Sequence, residues 1–214
     1  MAALRNQRPS NVAYYAKNRE REIARVRARQ DVTLALLRRL RDVPCDDCGA
    51  RFAPHQMDFD HREAQEKSFV LTSGGAMLTS RRRLMEEVAK CDVVCANCHR
   101  IRTRTRHRQR LCQRARTGSS IGIEARRARW RMHARLLDFL REAPCSDCGG
   151  RFPPCSMDFD HRDPATKVAA VTRLVGRAGR DRILAEARKC DIVCANCHRS
   201  RTLMRRSRSA PERE

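Results

Sequence analysis

The chain of 214 residues is short of what usually builds a large core: aromatic residues make up 4% of it, with a single tryptophan and two tyrosines. Mean hydropathy is −0.70. Domains so poor in large apolar side chains generally need a staple, a metal or disulfides, to fold. Long apolar runs are absent as well: none approaches the ~20 residues of a membrane span, and the first fifteen residues lack the apolar stretch of a secretory signal. These absences point to an intracellular, cytoplasmic chain with no membrane partner, in a compartment where thiols stay reduced. Lysine is scarce too, five residues among 47 basic ones, so the net charge of +22 is almost wholly arginine. Arginine forks onto phosphate, and neutralising phosphates releases counterions. A polyanion partner, DNA with RNA left open, follows more readily than a bias towards arginine in composition alone. An acidic membrane surface is the weaker competitor, because no segment combines basic and bulky aromatic faces.

What the chain has, it has twice. Cys45-Asp46-Asp47-Cys48 is followed by Met57-Asp58-Phe59-Asp60-His61-Arg62 and then by Cys95-Ala96-Asn97-Cys98-His99-Arg100. One hundred residues on, Cys145-Ser146-Asp147-Cys148 leads to Met157-Asp158-Phe159-Asp160-His161-Arg162, and Cys194-Ala195-Asn196-Cys197-His198-Arg199 closes the second copy. The two C-x-x-C pairs are separated by 46 residues in the first copy and 45 in the second, a one-residue difference in length. The repeat predicts a loose arm over 1–11, a first domain over 12–116, a linker over 117–122, a second domain over 123–203 and a disordered tail over 204–214.

Within each copy a basic helix comes first, over about 12–42 and 124–141, each stopped by the proline that follows (Pro44, Pro144). Trp130, His133, Leu137 and Leu140 give the second an apolar stripe at 3-4-3 spacing. After each knuckle, Gly49–Phe52 and Met57–Asp60 read as a short hairpin around Pro54, with Met57 and Phe59 inward. The stretch 63–79 reads as a loop. Helices follow over about 80–90 and 181–189, the latter with Asp181 as N-cap. Cys91 and Cys190 then sit on these helices as small buried hydrophobes. A last arginine-rich helix starts at each final Cys-x-x-Cys-His.

Two C-x-x-C pairs brought together offer four thiolates, the set that binds zinc tetrahedrally. Cys45, Cys48, Cys95 and Cys98, with Cys145, Cys148, Cys194 and Cys197, predict about two structural Zn²⁺ per chain. Thioredoxin-like redox chemistry is the alternative, and neither pair has the βαβ surroundings it needs. With the zinc shell full, Asp60-His61 and His99, and likewise Asp160-His161 and His198, are left for another task. Asp and His suit a hard or borderline divalent cation, and a histidine can act as a general base. The plain alternative is that they satisfy strand and helix ends.

These residues together resemble the HNH endonucleases, the ββα-metal nucleases with two zinc knuckles. The resemblance covers about 44–103 and 144–202. It implies an α+β chain of two tandem zinc-stapled ββα-metal domains, each preceded by a basic helix. It implies a catalytic ion such as Mg²⁺ or Mn²⁺ held by Asp60 and His99, and by Asp160 and His198, with His61 and His161 as general bases. Arg62, Arg100, Arg102, Arg104, Arg162, Arg199 and Arg201 would hold the DNA backbone, and the chain would be a monomeric pseudo-dimer that hydrolyses phosphodiesters. A non-catalytic zinc module that binds nucleic acid is the other reading. The sequence departs from the family at one point: Lys90 and Lys189 stand where the family's middle Asn, which helps hold the base, is usual.

Overall fold

A computed structural model describes residues 9–71, 79–114 and 121–209. The chain divides into two compact units, Met1–Asp42 with His61–Asp92, and Val43–Asp60 with Val93–Glu214. The fold class is α+β: helices and, among the described residues, two separate two-stranded sheets.

The first unit contains α1 (Pro9–Leu40), 32 residues without an internal glycine or proline. Helix therefore begins inside the stretch read as a loose arm, at Pro9, a residue suited to a helix's first turn. Residues 1–8 lie outside the described residues. A 3-10 turn, Ala64–Glu66, follows His61. Helix α2 (Arg81–Val88) starts where the Ser80 hydroxyl accepts from the Arg83 N–H at 3.4 Å. It buries Leu84 and Glu87.

Strand β1 (Met57–His61) pairs with β2 (Cys91–Cys95), and β3 (Met157–His161) with β4 (Cys190–Cys194). This corrects the hairpin expected over 49–60. The backbone after the knuckle is tied into the knuckle itself, Cys45 N–H to Ala50 O at 3.0 Å. Pro54 then opens a 3-10 turn, Pro54–Gln56, instead of a ladder. It also moves Cys91 and Cys190 from helix to strand. Both are buried, and each Sγ lies near the carbonyl of the glutamate four residues back (3.4 and 3.5 Å).

The second unit contains α3 (Ala96–Arg114), α4 (Ile121–Leu140), the short α5 (Val171–Leu174), α6 (Arg180–Ala187) and α7 (Ala195–Ser209), with β3 and β4. The N-cap of α6 is Gly179, and Asp181 sits in its first turn, where a carboxylate complements the helix dipole without capping. The antiparallel register sets Met157 opposite Cys194, Asp160 opposite Asp191 and His161 opposite Cys190. Leu137, Val171, Leu174, Ile183, Ala187 and Cys190 form one small core, with Leu140 and Phe159 packed against it. Two others are built directly on sulfur: Cys45, Met57, Val94 and Cys95, and Cys145, Met157, Val193 and Cys194. At about 1.5–3 kcal/mol for each fully buried large aliphatic side chain, cores this small leave a clear role for the metal-binding cysteines. Helix α7 runs to Ser209, so 204–209 are helical where disorder was expected, and 210–214 lie outside the described residues. Of the expected linker, 117–120 lie outside them too, while 121–122 open α4. Among the described residues no helix is long and apolar enough to cross a membrane.

Candidate metal centres and histidine clefts

Each knuckle is a tight turn closed by its own backbone. Gly49 N–H donates to Cys45 O and Gly149 N–H to Cys145 O, both at 2.8 Å. Both glycines have φ of +69°, the left-handed region where a side chain would be strained. The turn presents two sulfurs, and the strand-to-helix junction of β2 with α3, or of β4 with α7, presents the other two. The four sulfurs of Cys45, Cys48, Cys95 and Cys98 lie within 4.8 Å of one another, as do those of Cys145, Cys148, Cys194 and Cys197. Tetrahedral Zn–S bonds of ~2.3 Å place sulfurs roughly 3.8 Å apart, so the donor sets fit about two structural zinc ions.

Backbone amides already point at the sulfurs. Cys95 N–H donates to Cys45 Sγ and Cys194 N–H to Cys145 Sγ, both at 3.2 Å. Burial would raise the Cys145 thiol, and these amide bonds outweigh it, bringing it down to about 7. Burial and the neighbouring sulfurs push Cys98 and Cys197 up instead. Four such thiols ionise together only around a cation, whose binding then stabilises the fold.

Beside each cysteine centre the final histidine is held by an aspartate two residues before the expected one. His99 Nδ1 is 2.8 Å from Asp58 Oδ2, and His198 Nδ1 is 2.7 Å from Asp158 Oδ2. Each aspartate is also bound by an arginine from the other copy: Arg199 reaches Asp58 and Arg100 reaches Asp158, each at 2.6 Å. Burial would raise both carboxyls, but the histidine and arginine hydrogen bonds prevail and hold them at about 2. The cross-over is tightened by the two knuckle asparagines. Asn97 N–H donates to Asn196 Oδ1 at 3.3 Å and Asn196 N–H to Asn97 Oδ1 at 3.2 Å. Ser156 Oγ donates to Asn97 O at 2.9 Å.

The expected divalent-ion ligands do come together. His99 Nε2 lies 3.5 Å from Asp60 Oδ1, and His198 Nε2 lies 3.5 Å from Asp160 Oδ1. Two ligand atoms ~2.1 Å from one ion stand roughly this far apart, so oxygen and nitrogen donors of this type and spacing fit such an ion. Each carboxylate is also held by two arginines. Arg205 forks onto both oxygens of Asp160 (2.8 and 2.7 Å), with Arg201 at 3.0 Å. Arg106 (2.8 and 2.8 Å) and Arg102 (3.1 Å) repeat this on Asp60. Burial opposes ionisation of Asp60 and Asp160, and the arginine bonds override it, leaving both pKa values lowered. An ion at either pair therefore needs a guanidinium to turn aside.

His61 and His161 are buried at the ends of β1 and β3. His161 Nε2 is 2.9 Å from Glu186 Oε1, and His61 Nε2 is 2.8 Å from Glu87 Oε1. Glu186 also accepts from Val168 N–H (2.8 Å), Ala169 N–H (3.2 Å) and Lys189 Nζ (2.8 Å). The Lys189 bond and the other donors prevail over burial and hold its carboxyl at about 2. An ionised carboxylate only accepts, so Nε2 of each histidine donates to it, and the neutral form of such an imidazole carries its lone pair on Nδ1. Lys90 makes the same bond to Glu87 in the first unit, at 2.8 Å. Lys90 and Lys189 thus each brace a glutamate that holds the histidine of their own copy. In the second unit, Asp158, Asp160, His161, His198, Lys167 and Arg205 line one cleft of about 280 Å³.

The seven named arginines are largely committed to carboxylates or carbonyls. Arg62 and Arg162 bond the carbonyls of Ala89 and Arg188 and ion-pair with Asp92 (3.1 Å) and Asp191 (3.3 Å). Arg102 and Arg201 fork onto Asp47 and Asp147, each at 2.5 Å. Arg104 stands 3.9 Å from Asp138. Glu87, Glu186, Asp58 and Asp158 were missed from the sequence, although each recurs in both copies, which is the signal that marks them.

No protein-family model matches the chain, no curated protein matches it, and no solved structure matches it.

Proposed function

We propose that the chain is an endonuclease that hydrolyses phosphodiester bonds of nucleic acid, DNA first, through HNH-type chemistry at two sites. The observation that carries this reading is the Glu186–His161 pair in a cleft shared with Asp160 and His198. Glu186 fixes the imidazole with its lone pair at Nδ1. His161 then accepts the proton of the attacking water, a role worth about 10²–10⁴ in rate. His61, held by Glu87, is the matching candidate base of the first copy. Asp160 with His198, and Asp60 with His99, are the residues that would hold a divalent ion such as Mg²⁺ or Mn²⁺. Such an ion, when bound, stabilises charge on the phosphate and the leaving oxygen. Asp158 and Asp58 orient the histidine ligands through Nδ1, as a carboxylate commonly does for a metal-bound imidazole. The net charge of +22 supplies attraction to the phosphate backbone without reading sequence.

The test is incubation of the purified chain with supercoiled plasmid across a divalent-ion series. His61→Ala or His161→Ala alone should convert double-strand cleavage to nicking, and both together should stop cleavage while binding persists. Loss of all activity in one single variant and none in the other would mean one active copy and refute the pseudo-dimer. A second reading, a non-catalytic zinc protein that binds nucleic acid, is favoured by one feature. The arginine pairs on Asp60 and Asp160 neutralise the carboxylates an ion would need. Absence of cleavage with every ion tried, alongside retained binding, would select it.

A further inference from the structure

The two copies are not equivalent at one place. Trp130, the chain's only tryptophan, stands on α4 one hundred residues after Gln30, so the first copy has no aromatic at the matching position. The residue is half exposed, 51%, although His133 and Leu137 on the same helix are buried. An open cleft of about 820 Å³ surrounds it, lined also by Arg127, Thr172, Arg173, Val175, Gly176 and Arg177. Three of the seven lining residues are arginines, none is acidic, and Arg127, Arg173 and Arg177 are all exposed.

The ring is seated by a constructed turn. Gly176 has φ of +72°, and a Cβ there would meet Trp130 Cδ1 at 3.3 Å, so the bare backbone lies close against the indole edge. Gly176 N–H donates to the buried His133 Nδ1 at 3.3 Å, pinning that turn to α4 one helical turn beyond Trp130. The α5 segment brings Arg173 to the same rim, and Arg177 follows the turn. An indole fixed by its edge and bordered by guanidinium groups is a stacking platform beside phosphate-binding forks.

We propose that this cleft binds a single-stranded stretch of nucleic acid, with one unpaired base stacked on Trp130 and the flanking phosphates held by Arg127, Arg173 and Arg177. Every base has a π-face, so such a platform tolerates any sequence, and it requires a base outside a duplex stack. The inference rests on the nucleic-acid partner proposed above but on none of the catalytic residues. It assigns the second copy a grip on an unpaired strand through a tryptophan whose place in the first copy is taken by Gln30.

Trp130 is the only tryptophan, so indole emission reports on this cleft alone. The full chain is titrated, without added divalent ion, with a labelled oligothymidylate of roughly 12 nucleotides and with a duplex of equal length. Label anisotropy is followed together with tryptophan emission. The single strand should quench the emission at the concentrations where anisotropy rises, and the duplex should quench it much less. Trp130→Ala should weaken single-strand binding about 5- to 150-fold, with Trp130→Phe in between. Arg173→Gln with Arg177→Gln should lower the salt slope of single-strand binding by about 1.4. Zinc content and far-UV dichroism equal to the parent chain's confirm that each variant is folded. Binding with unchanged emission, equal quenching by the duplex, or an unaltered affinity of folded Trp130→Ala would each overturn the inference while sparing the nucleic-acid reading. No anisotropy change with either oligonucleotide would overturn both.

Discussion

Glu186→Gln is the substitution that asks most of this structure. The carboxylate takes four donors: His161 Nε2, two backbone amides on Oε1, and Lys189 Nζ on Oε2. A glutamine keeps one acceptor oxygen for His161, Val168 and Ala169. Its amide nitrogen then faces the Lys189 ammonium at the 2.8 Å now spanned by an ion pair, donor against donor. Breaking a buried pair costs about 3–5 kcal/mol. Lys189 is about a third exposed (34%) and can turn to water, which sets the lower end, about 3 kcal/mol. For a chain of this size that corresponds to roughly 6–12 °C in Tm. The cost must also depend on pH with a definite sign. The folded pKa of Glu186, about 2, lies below the ordinary 4.5. Its stabilisation is therefore complete above about 4.5 and is lost as pH falls towards 2. Urea unfolding of parent and variant, with zinc content matched, should show the gap at neutral pH and a steady narrowing below 4.5. Equal stability at neutral pH, or a gap that ignores pH, would show that Glu186 is not the ionised acceptor described here.

Replacing Cys194 with Ser should lower bound zinc from about two to about one per chain, as read by elemental analysis, because each ion takes four sulfurs from one copy. Nucleic-acid affinity should fall steeply with salt in an anisotropy titration, since several phosphates are neutralised per complex; a flat dependence would refute the charge argument. Arg100→Ala should loosen the His198 ring while leaving His99 unchanged in imidazole NMR spectra, and Arg199→Ala the reverse. The reason is that each arginine grips the aspartate of the other copy.

The cysteine centres were legible in the sequence because spacing alone carries them: each C-x-x-C is a local turn, and its repetition marks the full set. Helices α1, α2 and α6 were legible from helix-forming runs, with ends shifted by a few residues. Strands β2 and β4 were not. Cys91–Cys95 is five residues between two good helical runs, too short for a period of two to stand out against a period near 3.6. Val93 and Val94 were the available hint. The hairpin assigned to 49–60 failed for the same reason: a strand's partner can lie thirty residues away, and local alternation does not say where. Glu186 was passed over because a glutamate on a charged helix looks solvated. Its burial follows only once β4 and the 168–169 backbone close over it.

The duplication is more than two copies on one thread. Within the second unit the exchange is reciprocal: Asn97 with Asn196, Arg100 with Asp158, Arg199 with Asp58. Each of these aspartates also holds its own copy's histidine, so the orientation of His99 depends on the second copy and that of His198 on the first. A carboxylate shared between a histidine and a distant arginine is a cooperative element, since losing either donor leaves a buried charge with half its compensation. A single copy would lack the arginine that completes its aspartate, and with it the asparagine that satisfies its knuckle amide. Tandem fusion supplies both at fixed stoichiometry, without the concentration dependence that an assembly of separate chains would carry. It also leaves one copy free to diverge where the exchange does not reach, as at Trp130, while the residues inside the exchange stay paired.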